Sequence, residues 1–372
     1  MPKFHIKGQI ARLLGLEWFN AFQLGGSLWV LLLAARGFSL AEIGLAEGFF
    51  HLVSLCCEVP SGLLADVLGR RKTLLASQTA FGLSALMMLA SQSLLGVCLA
   101  LGLDALGFNL SSGTREALTY DSLVQHGLEE RYLRLSSVQT ICYRLGAAAA
   151  MLCAGWALSA GHRICYSVDV AGAVVCFLLA WGLAEPEVTE NQQNRASLTL
   201  GQLPGLLLDY IRTAVRFLKE HPPLCVRMLG SSLAGSVATL MTFFLQEGLP
   251  AAGAPAAILG LLLVAMQLGR VAGAWLGARL GKLPYRLTFW ICTVGTVVSA
   301  LICALPSTAA RTMGGVLIGL FDESLFLVTD ARLNEEFPSD QRATLVSIES
   351  LLFSVVMIGM SPLLGRLTQL VF

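Results

Sequence analysis

Charge is what this sequence has least of. Of 372 residues only 13% are Asp, Glu, Lys or Arg, about half the share of a soluble domain. Too little charge is left for a chain of this length to cover itself in water, which excludes a soluble globular fold. The alternating ten-residue segments of a transmembrane barrel are missing. The net charge of +1 offers no basic surface for a nucleic acid. The ten cysteines include no Cys-x-x-Cys pair, so they read as small apolar fillers rather than disulfides or metal ligands. No Walker-type phosphate loop, metal-ligand cluster or nucleophile–base motif is present. An ATP-driven pump or a membrane enzyme is therefore unsupported, and no cofactor or metal is expected. Lys3, Lys7 and Arg12 precede an apolar run without a small-residue cleavage site, so that run is expected to be an uncleaved first span.

What fills the chain is apolar sequence, 55% of all residues, in runs matching a hydrocarbon core of about 30 Å. Eleven spans are predicted, near 11–35, 39–66, 73–92, 94–123, 132–160, 164–184, 224–247, 256–280, 286–305, 311–335 and 342–366. The fold class is an all-α polytopic membrane protein. With the N-terminus in the cytoplasm, seventeen Lys and Arg fall at inner ends and loops. Four, Arg36, Arg163, Arg311 and Arg366, fall outside. That asymmetry fixes the orientation under the positive-inside rule.

One segment breaks the rhythm. Residues 185–202 are polar, and 203–221 alternate apolar with charged positions like a helix lying on the inner membrane surface. They divide the chain into a six-span bundle, 1–184, a linker, 185–222, and a five-span bundle, 223–372. The two halves repeat each other. Tyr120-Asp121-Ser122-Leu123 returns 209 residues later as Thr329-Asp330-Ala331-Arg332. Arg131 through Ser137 returns as Arg342 through Ile348, 211 residues on. A common offset indicates two pseudo-symmetric helical bundles.

Between the second and third spans stands Gly62-Leu63-Leu64-Ala65-Asp66-Val67-Leu68-Gly69-Arg70-Arg71-Lys72. Gly62 is expected to permit close helix contact, and Gly69 a turn other residues resist. A positive-inside anchor would explain the three bases but not Asp66 and both glycines in register. A worn copy, Ala274 through Lys282, stands 212 residues later, with Ala278 in place of the aspartate. The loop resembles the signature of the major facilitator superfamily of secondary transporters. Glu58-Val59-Pro60-Ser61-Gly62, the run from Ser112 to Asp121, and Phe337 to Thr344 resemble its bacterial drug-exporter-type members. The resemblance covers nearly the whole chain. It implies a gating latch of Gly62, Asp66, Gly69, Arg70, Arg71 and Asp121, with Asp66 near the start of span eleven and the loop bases on Asp121. Two features depart from the pattern. The small-residue run around Gly146 lacks a Gly-Pro pair, and the family's twelfth span is absent, which raises a transport-inactive, carrier-fold sensor as an alternative.

Charges within spans cost about 2.5–3.5 kcal/mol each at a helix centre, so they are expected to face the protein interior. Counting 1.5 Å per residue, Glu47, His51, Asn109, Arg144, Asp322 and Glu323 fall near mid-depth, with Glu17, Arg115 and Glu116 towards the inside and Asp104 and Asp169 towards the outside. Candidates for substrate or proton coupling are Glu47, His51, Asn109, Glu116, Arg144, Arg270, Asp322 and Glu323. Fixed ion pairs are the rival explanation: Arg144 with Glu47 or Glu116, and Arg270 with Glu323 or Glu349. Asp322 and Glu323 point about 100° apart on a helix, so one is expected to face the cavity and the other a neighbouring helix.

These features predict a monomeric carrier in a bacterial inner membrane. It would work by alternating access and export a small amphipathic organic solute as an antiporter exchanging protons. Abundant aromatic residues on cavity helices suit such an efflux pocket. A carrier for a specific metabolite, a sugar or amino-acid derivative, is the alternative, favoured by Arg144. The expected partners are the solute and the lipid bilayer.

Overall fold

The computed structural model describes residues 4–186, 219–336 and 342–372, with positions 205, 208, 212 and 216. The side chains of 59, 63, 66, 67, 334–336 and 342–347 are outside that description. Most of the expected linker and surface helix, 185–222, also lies outside it. Every described regular element is helical. Among the described residues nine helices are long and apolar enough to cross a membrane, and a tenth candidate is a pair, α8 (Tyr132–Leu152) and α9 (Ala154–Ala160), bent by 53°.

The first span is not one helix. Residues expected to run unbroken from 11 to 35 form α1 (Ile6–Ala21), α2 (Leu24–Ser27) and α3 (Trp29–Ala35). Phe22 leaves the helical region at φ −81°, ψ 69°. The freed backbone is satisfied by a carboxylate from another helix. Asp169, on α10 (His162–Trp181), accepts from the Leu24 N–H at 2.7 Å and the Gly26 N–H at 2.8 Å. A non-helical backbone at this depth persists only where protein groups replace the lost hydrogen bonds.

Local chemistry sets the other boundaries. Ser39 and Glu42 form a reciprocal cap at the start of α4 (Leu40–Leu68). Ser39 N donates to Glu42 Oε2 at 2.9 Å, and Glu42 N to Ser39 Oγ at 3.3 Å. Gly69 separates α4 from α5 (Arg70–Ala90) at φ 94°, a conformation that costs glycine little. Gly113, at φ 71°, divides α6 (Leu94–Ser111) from α7 (Thr114–Val124). By contrast, a Cβ at Gly62 would meet no described atom within 4 Å, so the close approach expected there is absent among the described residues.

The chain forms two compact units. The first comprises Met1–Ser27, Val53–Ala150 and Ala160–Tyr210, and the second Leu28–Leu52, Met151–Ser159 and Ile211–Phe372. In the first, Leu13, Leu16, Leu74, Leu118, Cys176 and Ala180 make one buried core. The second holds α11 (Pro222–Ala251), α12 (Ala256–Leu280), α13 (Tyr285–Cys303), α14 (Thr308–Glu336) and α15 (Arg342–Gln369). Glycines let its helices touch backbone to backbone: a methyl at Gly269 would overlap the Val316 carbonyl, and one at Gly273 the Leu320 carbonyl. The early segments in this unit are as tight. A Cβ at Gly44 would strike the Ser361 carbonyl, and one at Gly155 the Ala256 carbonyl.

Large apolar side chains such as Leu268, Val271, Trp275 and Leu301 are more than half exposed, as a lipid-facing surface requires. All ten cysteines are free thiols. Arg311, counted above among the outer cations, is instead 2% exposed. It donates to the Gly248 carbonyl and, at 3.3 Å, to the Leu305 carbonyl. Its guanidinium carbon lies 4.1 Å from the Phe372 ring centroid. Carbonyl dipoles and an aromatic face replace the water that a loop arginine would have.

Candidate functional site

Two glycine-defined junctions of the first unit, at Gly69 and Gly113, carry charge. At the α4–α5 turn, Arg70 pairs with Asp121 on α7 and donates to the Ala117 carbonyl as well. Arg71 donates to the Trp181 carbonyl, with its guanidinium carbon 5.7 Å from the Trp181 ring centroid. Glu185, assigned by sequence to the linker, completes the cluster. Its Oε1 accepts from Arg70 N at 2.8 Å and its Oε2 from Arg71 N at 2.7 Å. A carboxylate there satisfies two open N–H groups and opposes the positive end of the α5 dipole. The Asp66 side chain lies outside the described residues.

Nearby, Gln9 is buried and reads three groups at once. Its Nε2 donates to Ser122 Oγ at 3.1 Å and the Ala184 carbonyl at 3.0 Å, and its Oε1 accepts from Ala184 N at 3.0 Å. Sequence reading missed both Gln9 and Glu185. The available signal was a polar residue in the first turns of an apolar run, and an acid at the same membrane edge as three bases.

The second junction opens on a cavity of about 490 Å³ inside the first unit. Glu17, Asn20 and Gln23 of the first span line it, with Asp104, Ser111 and Ser112 before and at the Gly113 break. Arg115 and Glu116 follow that break, and Gln139, Thr140, Tyr143 and Arg144 of α8 face them across the wall. Phe81, Phe108 and Tyr132 supply aromatic surface. Arg115 Nε stands 2.9 Å from Glu17 Oε1, and Nη2 stands 3.4 Å from Glu116 Oε1. Glu116 thus pairs with its chain neighbour Arg115, not with Arg144 as considered above, where the positive-φ glycine at 113 brings both residues to the cavity wall.

The remaining candidates sit elsewhere. Asn109 is buried outside the cavity wall, donating to Ser54 Oγ at 2.9 Å and to the Ala105 carbonyl at 2.8 Å. It pins α6 to α4. In the second unit Glu47 and His51 meet at 3.4 Å across one turn of α4, and the His51 ring stands edge-on to Phe353 at 5.7 Å. Arg270 on α12 takes two neighbouring acids of α14: Nη2 is 3.1 Å from Asp322 Oδ2 and Nη1 is 3.5 Å from Glu323 Oε2. Arg270 thus bridges two acids whose side chains leave α14 about 100° apart. The glycine contact brings α12 so near α14 that one forked guanidinium spans both carboxylates.

Long apolar helices in two units, with paired charges and a polar cavity within one of them, define a membrane transporter rather than an enzyme. Residues 13–362 match the family model of the Major Facilitator Superfamily, and the chain belongs to that family. Its structure is similar to that of the nucleoside transporter NupG, with a TM-score of 0.78 at 15% identity over 99% of this chain and 92% of that one. It is also similar to a bacterial homolog of the human lysosomal transporter Spinster, with a TM-score of 0.70 at 16% identity over 95% and 81%. The peptide transporter POT in complex with sulfate gives 0.68 at 14% identity over 97% and 88%. Identities this low show the shared fold and no more. No curated protein sequence matches the chain.

Proposed function

We propose that the chain is a secondary active carrier for a small polar organic solute, of the sugar or amino-acid-derivative class, working by alternating access. One observation carries this reading. The cavity of the first unit is walled by amides, hydroxyls and both signs of charge, and its volume of about 490 Å³ suits a metabolite-sized ligand. A site built to hydrogen-bond its ligand discriminates strongly against analogues lacking those groups. The fold neighbours named for nucleosides and peptides handle polar organic solutes, which agrees by analogy.

In this reading the cluster of Arg70, Arg71, Asp121 and Glu185 is a latch that holds one state and opens in the other. The Arg270–Asp322–Glu323 set and the Glu47–His51 pair are the proton-coupling candidates of the second unit. The carrier sits as a monomer in a bacterial inner membrane with its N-terminus in the cytoplasm.

Phe81, Phe108, Tyr132 and Tyr143 in the wall favour a second reading, export of an amphipathic compound in exchange for protons. Solute counterflow in proteoliposomes separates the two. Radiolabelled sugars, nucleosides and amino acids are tested beside ethidium, with and without an imposed pH gradient. Counterflow of a polar metabolite supports the first reading. Ethidium movement that follows the pH gradient, with no metabolite exchange, replaces it with the second.

A further inference from the structure

Among the described residues Arg144 is the cavity cation that no acid holds. The other, Arg115, is shared between Glu17 at 2.9 Å and Glu116 at 3.4 Å. Among the described residues no carboxylate stands within ion-pair distance of Arg144, although its side chain lines the cavity. It lies twelve residues into α8, about 18 Å along the helix axis, too deep for the charge to be a membrane-edge anchor. Thr140 and Tyr143 share the wall with it. Arg144 is exposed to the cavity, and a guanidinium that no described carboxylate holds is matched to a carboxylate or phosphate brought by a ligand.

The rest of the wall chooses between those anions. Glu17, Asp104 and Glu116 outnumber Arg115 and Arg144. A phosphate monoester, near two negative charges at neutral pH, would enter a wall already in negative excess. A solute carrying one anionic and one cationic group leaves the balance unchanged. Glu116, whose side chain is 51% exposed, is the acid placed to receive the cation. Resting on the reading of this cavity as the solute site, we propose that it takes an organic zwitterion of the amino-acid type. The carboxylate binds Arg144, and the ammonium group turns towards Glu116.

The test uses the purified full-length chain and thermal-shift titrations with the twenty L-amino acids, their methyl esters and their N-acetyl forms. At least one free amino acid is expected to raise Tm saturably. Its ester, which lacks the carboxylate, should bind about 10-fold more weakly or worse, as loss of a charged hydrogen bond implies. Arg144→Gln should abolish the shift, and Arg144→Lys should keep part of it. Glu116→Gln should weaken the free amino acid while leaving the N-acetyl form unchanged. A monodisperse elution profile and a ligand-free Tm near that of the parent show that each variant is folded, and Arg144→Lys carries the test if Arg144→Gln is not.

The proposal is overturned if no free amino acid shifts Tm, if the ester binds as well as the acid, or if the shift survives Arg144→Gln. Counterflow of a neutral sugar or nucleoside that Arg144→Gln leaves intact would discard the zwitterion and keep the polar-solute carrier. Failure of every polar solute to exchange would remove both.

Discussion

Arg115 and Glu17 face each other at 2.9 Å, joining α7 to α1 across the wall of the cavity. The Glu17 side chain is 5% exposed and that of Arg115 21%, so removing either partner strands a charge with little water to receive it. Removing one member of a buried pair costs about 3–5 kcal/mol, and the partial exposure of Arg115 lowers that to about 1–3 kcal/mol. Glu17→Gln and Arg115→Gln should each lower Tm, and the double variant should lose less than the two losses added. A double-mutant cycle read by thermal unfolding measures this coupling. Strict additivity would show that the pair contributes nothing to the fold.

The Arg70–Asp121 pair and the Glu185 cap, proposed above as a latch, make a different prediction, because a latch acts on rate. Asp121→Asn and Glu185→Gln should slow counterflow several-fold while the solute's thermal-shift titration keeps its midpoint. The exchanged variant Arg70→Asp with Asp121→Arg should recover part of the rate. A shifted midpoint with an unchanged rate would place the cluster in solute binding instead.

Asp169 holds the break in the first span open. It supplies the acceptors for Leu24 N and Gly26 N, and the Tyr166 ring packs where a Gly25 side chain would stand. Asp169→Asn turns one acceptor oxygen into a donor aimed at a backbone N–H. The loss of one charge-assisted hydrogen bond, about 1.5–3 kcal/mol, should appear as a lower Tm and faster amide exchange in residues 22–28. Unchanged exchange there would mean that the break is maintained by the chain's own sequence.

These residues also show what could be read in the sequence and what could not. Apolar run length gave the helices because bilayer thickness imposes it, and the loop at Gly62–Lys72 led to Arg70 and Asp121 because a signature of that density is local. Glu116, expected towards the inner side, and Arg144, expected near mid-depth, both line the cavity of the first unit. Partnership was legible only in part: the loop bases were expected on Asp121 and Arg270 on Glu323, and both pairs form, whereas Arg115 with Glu17 was not foreseen. It depends on helix rotation and on breaks such as Gly113, where φ is 71°, and neither follows from counting residues along a span. Arg115 therefore took Glu116, and Arg270 took Asp322 as well as Glu323. The division of the first span was hidden for a related reason. Its cause, Asp169, lies 145 residues from Leu24, and residues 22–28 taken alone are compatible with continuous helix.

The contact between α12 and α14 makes the sharpest claim on packing. Gly269, Gly273 and Gly277 recur every fourth residue on α12, so they share one face. Methyl groups there would overlap the Val316 and Leu320 carbonyls, and at Gly277 would come within 3.2 Å of the Ser324 Cα. Ser324 Oγ donates to the Gly273 carbonyl at 2.8 Å across the same seam. In a bilayer, where lipid competes with every apolar contact, such backbone approach is a main source of helix association. Gly269→Ala should force the helices apart and cost about 1–3 kcal/mol, the usual range for overpacking. It should also loosen the grip of Arg270 on Asp322, so Gly269→Ala and Asp322→Asn should be less than additive in Tm. Gly172 on α10 is the control. A Cβ there would meet nothing within 4 Å, and Gly172→Ala should leave Tm unchanged or raise it, since alanine favours the helix by about 1 kcal/mol. Equal tolerance of both substitutions would show that α12 and α14 are held by their side chains alone.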